Sequence, residues 1–164
     1  MKRIICLILT FTLFIVSLLP VSATNENAIA YPSLGSPQIT YYGDGSYTKT
    51  TVEIIGCSSN ARSTTKTIEG QKEIELYNSS DELVWVYTLI GTYQVIVGQS
   101  ATCLNSTYSY TIYDSKWSMT AHDNYCSANV AYGTATFKKK VLFITTNTYN
   151  IDAELGCDIN GNLS

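Results

Sequence analysis

From residue 38 onward, apolar side chains recur at every second position. Ile74 and Leu76 alternate with Glu73, Glu75 and Tyr77. Ala131, Gly133, Ala135 and Phe137 alternate with Val130, Tyr132, Thr134 and Thr136, and Tyr149, Ile151, Ala153, Leu155 and Cys157 alternate with Thr148, Asn150, Asp152, Glu154 and Gly156. Trp117, Met119 and Ala121 face away from Ser118, Thr120 and His122. A period of two sends each set to one face of a strand. Residues 83–97 are apolar on both faces. Trp85, Tyr87, Leu89, Tyr93, Val95 and Val97 lie on one side, and Val84, Val86, Ile90 and Ile96 on the other. That predicts a central strand covered on both faces, or two strands bent at Gly91. Turn chemistry separates the runs at Gly43-Asp44-Gly45, Ser79-Ser80-Asp81-Glu82, Gly98-Gln99-Ser100 and Asp114-Ser115-Lys116. No capped helical period is present, and residues 61–70 could hold one helical turn at most. About seven to nine strands at this spacing predict an all-β protein: a single antiparallel β-sandwich, with a small β-barrel as the alternative.

The first 23 residues follow a different pattern. Lys2 and Arg3 precede an apolar run over residues 4–19, Pro20 ends it, and Val21-Ser22-Ala23 offers small residues at a cleavage site. That order is a secretory signal peptide cut after Ala23, so the protein is expected to be secreted and extracellular. The run is shorter than the roughly 20 residues a spanning helix needs. Cys6 lies too early in it, with no suitable flanking residues, for lipid attachment. No later stretch reaches membrane length, so no stable membrane anchor is expected. Residues 24–37 are polar and hold Pro32 and Pro37, which marks a flexible leader before a domain over residues 38–164.

The chain carries 10 basic and 13 acidic residues; removing Lys2 and Arg3 leaves 8 against 13, a net charge of −5. That balance argues against nucleic acid and anionic lipid surfaces as partners. The one basic cluster, Lys138-Lys139-Lys140, reads as a solvated turn or edge between two strands. Four cysteines follow the signal peptide, Cys57, Cys103, Cys126 and Cys157, and an even number in an exported chain favours disulfides. There is no Cys-x-x-Cys pair and only one histidine, so no metal site is assigned. Of three possible pairings, Cys57–Cys103 with Cys126–Cys157 ties each half of the chain to itself.

Candidate catalytic chemistry is thin. His122-Asp123 is the only imidazole beside a carboxylate, and no Gly-x-Ser-x-Gly elbow accompanies it. Glu73 with Glu75, and Asp152 with Glu154, point the same way from one strand, whereas a glycosidase pair flanks the bond from opposing walls. Asp158-Ile159-Asn160-Gly161-Asn162 opens like a calcium loop but lacks its closing glutamate, and Asn-Gly is an ordinary turn pair. Three Asn-x-Ser/Thr triplets, starting at Asn78, Asn105 and Asn162, read as coincidence in a Ser/Thr-rich chain. No cofactor is expected. Tyrosine, with 13 copies, exceeds what the core positions consume. Tyr77 and Tyr113 fall on polar faces and Tyr42 and Tyr47 flank the Gly-Asp-Gly turn, so these four are the candidate binding residues.

Several segments resemble a group of small secreted β-proteins of Clostridia-type Firmicutes. They are Ile55-Gly56-Cys57, the hairpin from Glu75 through Asp81 to Trp85, Ser100-Ala101-Thr102-Cys103, Tyr113-Asp114-Ser115-Lys116-Trp117-Ser118, and the tail from Gly156 to Ser164. The resemblance implies export and a β fold and carries no catalytic residue across. The expected function is a non-enzymatic secreted domain binding an extracellular glycan or protein. A bacteriocin-like or pore-forming protein is the runner-up, because its alternating Thr/Tyr/Val strands suit a membrane hairpin, and a hydrolase comes third.

Overall fold

The period-two runs become strands in the computed structural model, which describes residues 35–59 and 64–164. The expected signal peptide, its cut after Ala23 and most of the leader lie outside the described residues. β1 (Gln38–Tyr41), β2 (Tyr47–Ser59), β3 (Thr65–Tyr77), β4 (Leu83–Ile96) and β5 (Ser100–Ile112) form one antiparallel sheet in sequence order. β6 (Trp117–Ser127), β7 (Val130–Val141) and β8 (Ile144–Gly156) form a second. Among the described residues there is no helix. The ladders do not continue from β5 to β6, so the sheets stay separate and face each other as a sandwich; the barrel alternative does not arise.

The alternating apolar positions meet between the sheets. Ile68 and Leu76 of β3, Trp85, Tyr87, Leu89, Tyr93 and Val95 of β4, Ala131, Ala135 and Phe137 of β7, and Ala153 and Leu155 of β8 are at most 3 % exposed. Burying each of the larger side chains contributes about 1.5–3 kcal/mol. Trp85 stacks on Phe137 across the interface, ring centroids 4.3 Å apart. Gly133 sets how closely the layers approach, and Gly91 makes room for a ring of its own strand. A β-carbon on Gly133 would lie 2.5 Å from the Tyr87 hydroxyl and 2.7 Å from Leu89 Cδ1. One on Gly91 would lie 2.3 Å from the hydroxyl of Tyr93, whose ring folds back over that glycine and donates to the Leu155 carbonyl of the opposite sheet.

Two expectations about strands need correction. β4 is a single strand passing straight through Gly91, and only one of its faces is fully covered. Val86, Ile90 and Ile96 are half-buried on the outer face, where neighbouring side chains of β3 and β5 shield them without a third layer. Lys138-Lys139-Lys140 is neither a turn nor an edge but the closing stretch of β7, the middle strand of its sheet; the turn falls at Leu142-Phe143.

The disulfide pairing also differs from expectation. Cys103 is bonded to Cys126, while Cys57 is free and exposed and Cys157 free and buried. The reason lies at the corner between the sheets. Cys103 stands nine residues before the end of β5 (112 − 103) and Cys126 nine after the start of β6 (126 − 117). The chain turns back on itself at Asp114, so positions equidistant from the corner face each other. The bond therefore ties the two sheets together, joined by the Cys103 N–H donating to the Ala128 carbonyl at 2.8 Å. Cys157 is instead enclosed by the C-terminal turn, where it bridges to Leu163.

Candidate functional site

Because strands consecutive in sequence pair antiparallel within each sheet and the chain turns back between the sheets at Asp114, the β1–β2, β3–β4, β5–β6 and β7–β8 connections gather at one end of the sandwich. The β1–β2 turn is fixed by Asp44, whose Oδ1 accepts the Ser46 N–H at 3.0 Å, while the Gly45 N–H donates to the Tyr42 carbonyl at 3.1 Å. The Ser46 hydroxyl also bonds Asp44 and lies 2.7 Å from the Tyr149 hydroxyl on β8, coupling this turn to the other sheet. The Ser46 hydroxyl and N–H hold the Asp44 carboxyl below its ordinary range, so it is anionic at neutral pH. The β3–β4 turn is organised by Asn78 Oδ1, which accepts the Ser80 N–H at 2.8 Å and the Glu82 N–H at 3.0 Å. In the β5–β6 turn, Asp114 Oδ1 accepts the Lys116 N–H at 3.0 Å.

These turns enclose a cleft of about 300 Å³ where the two sheets part. Asp44, Asn78, Asp114, Lys139 and Asn147 supply its polar groups, and Trp117 and Tyr149 its aromatic wall. Trp117 and Tyr149 pack with centroids 5.5 Å apart, and Lys139 Nζ sits 5.9 Å from the Trp117 ring. Tyr42 meets Tyr149 edge-on at 5.0 Å on the rim, where a shallower depression continues the cleft past Asn147.

The four candidate tyrosines are divided by this arrangement. Tyr42 lies on the cleft rim. Tyr47 and Tyr77 stack on the outer face of the larger sheet, centroids 5.0 Å apart and planes 9° from parallel. Burial, together with the nearby Asp81 and Glu75 carboxylates respectively, raises the pKa of both hydroxyls. Tyr113 is 60 % exposed beside Asp114 and has no ring partner among the described residues. Sequence reasoning missed Tyr41, which is 74 % exposed and adds a third ring to the ladder, 5.5 Å from Tyr47. The signal was available, since Tyr41 and Tyr47 are equidistant from Asp44 and pair across the turn. Trp117, Asn147 and Tyr149 were missed as site residues because alternation assigns them only to faces, not to the end where two sheets part.

Other candidates are engaged elsewhere. His122 lies 4.7 Å from the Tyr108 ring, and the Asp123 carboxylate accepts the Asn124 N–H. Asp158 accepts the N–H groups of Asn160 and Asn162, both at 2.8 Å, which hold its carboxyl below the usual range and close the turn on itself. Glu75 pairs with Lys49 at 2.9 Å on the outer face, and burial beside Glu75 raises the Glu73 pKa. The chain matches no family model, no curated protein and no solved structure.

Proposed function

We propose that this is a non-enzymatic binding domain that takes a polyhydroxylated, sugar-like ligand in the end cleft. The observation that carries the reading is the convergence of planar acceptors and donors on two aromatic rings in one cavity. A pyranose presents apolar C–H faces and a rim of hydroxyls. Trp117 and Tyr149 suit the former, and Asp44, Asn78, Asp114, Asn147 and Lys139 the latter. The volume is at the lower end of ligand pockets, in keeping with one terminal sugar unit rather than a threaded chain. Binding is favoured over hydrolysis by how the two carboxylates are used. Asp44 is held ionised by Ser46, which suits an acceptor of ligand hydroxyls rather than a general acid, and Asp114 is tied into its own turn by the Lys116 N–H. Export, expected from residues 1–23, would place the cleft where envelope and host glycans are found.

The test is a glycan-array screen followed by titration of the best ligand against Asn147→Ala and Tyr42→Ala. Each variant is expected to lose about tenfold or more in affinity while melting within a few degrees of the parent. Unchanged affinity in both, with loss confined to Tyr47→Ala and Tyr77→Ala, would move the site to the outer ladder and overturn the cleft.

A further inference from the structure

Four consecutive apolar residues stand in water at the tip of the β7–β8 hairpin: Val141 is 42 % exposed, Leu142 85 %, Phe143 100 % and Ile144 68 %. Leu142 and Phe143 form the two-residue loop, and both have positive φ, 49° and 70°. Hairpins of this length favour Asn-Gly at these positions, because bulky side chains are strained there. Phe143 adds no packing to the domain. The chain thus carries backbone strain and exposed apolar surface at one point, and neither stabilises the fold.

Below the tip lies a basic collar. Lys138, Lys139 and Lys140 lead into it, and the Lys140 N–H donates to the Lys116 carbonyl at 2.8 Å, bringing a fourth lysine close. The facing residues of β8 are the neutral Thr148, Asn147 and Thr145. Among the described residues no carboxylate is ion-paired with these four amines; the nearby Asp44 and Asp114 lie in the cleft at the base of the hairpin. Outside residues 1–23 the chain has 8 cations (10 − 2), so this hairpin and its neighbour hold half of them.

We propose that the tip inserts reversibly into the surface of an anionic lipid bilayer. Successive strand residues point to opposite faces, so Lys138 and Lys140 share the outer face of the hairpin while Lys139 turns toward Trp117 at the cleft. The tip is bare all round, with Phe143 fully exposed, and a bilayer surrounds an inserted tip whereas a protein partner would cover one side of it. Phe143 and Leu142 would reach the acyl boundary while the ammonium groups meet headgroup phosphates. Four residues are too few to span, since a membrane strand needs about 9–11, so the contact is peripheral. The acidic net charge, which alone argues against such a surface, conceals a local basic collar. The tip projects from the same end as the cleft, so a docked domain would hold the cleft against the membrane surface; insertion itself does not depend on what the cleft binds.

The test uses the full chain with phosphatidylcholine vesicles, with and without phosphatidylglycerol, at low and high salt. Cosedimentation is expected with the anionic vesicles alone, weakened by salt. L142N/F143G, which installs the preferred turn pair, should melt no lower than the parent yet lose about tenfold or more in partitioning. K138Q/K140Q should lose about fivefold for each lysine removed. In a second measurement, Phe143→Trp fluorescence should shift to the blue on adding anionic vesicles. Equal cosedimentation of parent and L142N/F143G, or no preference for phosphatidylglycerol, overturns the proposal. So does a parent dimer that L142N/F143G converts to monomer without any vesicle binding, which would assign the tip to a second copy of the chain.

Discussion

Removing the Cys103–Cys126 bond tests how the two sheets are joined. The pair closes a loop with a sequence separation of 23. In the chain-entropy treatment such a loop contributes about 3.4 kcal/mol by restricting the unfolded chain. For a domain between the small and medium size classes, that corresponds to a fall in Tm of roughly 10–15 °C. The perturbation is C103A/C126A, compared with the oxidised parent, the parent under reductant and Cys57→Ser, in thermal melts at one protein concentration. C103A/C126A and the reduced parent should melt together, well below the oxidised parent. Cys57 is exposed and unbonded, so Cys57→Ser should stay within about 0.5 kcal/mol. This comparison separates the observed pairing from the Cys57–Cys103 bond that the two-halves argument favours, because under that pairing Cys57→Ser would cause the large loss. A Cys57→Ser variant that melts with the reduced parent, or a C103A/C126A variant within about 1 kcal/mol of the oxidised protein, refutes the corner geometry.

Two further outcomes follow from the packing and the buried groups. Gly133→Ala should destabilise by about 1–3 kcal/mol in urea unfolding, since the added methyl meets Tyr87 and Leu89, whereas Gly43→Ala, with open space around it, should be near neutral; equal midpoints would contradict the close approach. Burial pushes the Cys157 thiol up to about 11 and the Tyr87 hydroxyl up to about 12. A folded-state pKa raised above the unfolded one gives stability that is present below the unfolded value, here about 9 for the thiol, and lost as pH rises through the folded value. The urea midpoint should therefore fall between about pH 9 and 11, and Cys157→Ala should remove the lower part of that fall; a midpoint flat to pH 11 would contradict it.

The core was legible because its signal is local. The alternation around Ile74, Phe137 and Leu155 states which face is buried, and the fold needs only two such faces to meet. Turns at Asp44, Asp81, Gly98 and Asp114 were legible for a similar reason, since their residues tolerate or require special backbone angles. The hidden turns are the two whose residues contradict turn chemistry, Ala128 and Leu142-Phe143, both at positive φ. The disulfide partner was hidden as well, because strand assignment does not reveal that the chain folds back between sheets at Asp114. The cleft drew on all of these at once. Trp117 and Tyr149 are ordinary strand residues until the sheets part above them.

That pattern of failure is itself informative. Where local preference, burial and turn chemistry agree, a segment is explained by stability alone; functional sites are where they part company. The non-glycine residues at positive φ in the described chain are Asp81, Ala128, Leu142 and Phe143. Aspartate tolerates that conformation, and Ala128 is small and its carbonyl accepts the Cys103 N–H beside the disulfide. Leu142 and Phe143 have neither excuse, and they are also the most exposed of the large apolar residues. At the same end stand the highly exposed Tyr41 and Tyr113 and a cleft lined with polar groups. The opposite end carries the β4–β5 turn, whose Gly98 sits at positive φ without strain and whose Gln99 N–H returns to the Ile96 carbonyl at 2.9 Å. Both bulky residues that break turn chemistry in the described chain thus stand at the end that holds the cleft, which marks that end for something other than stability.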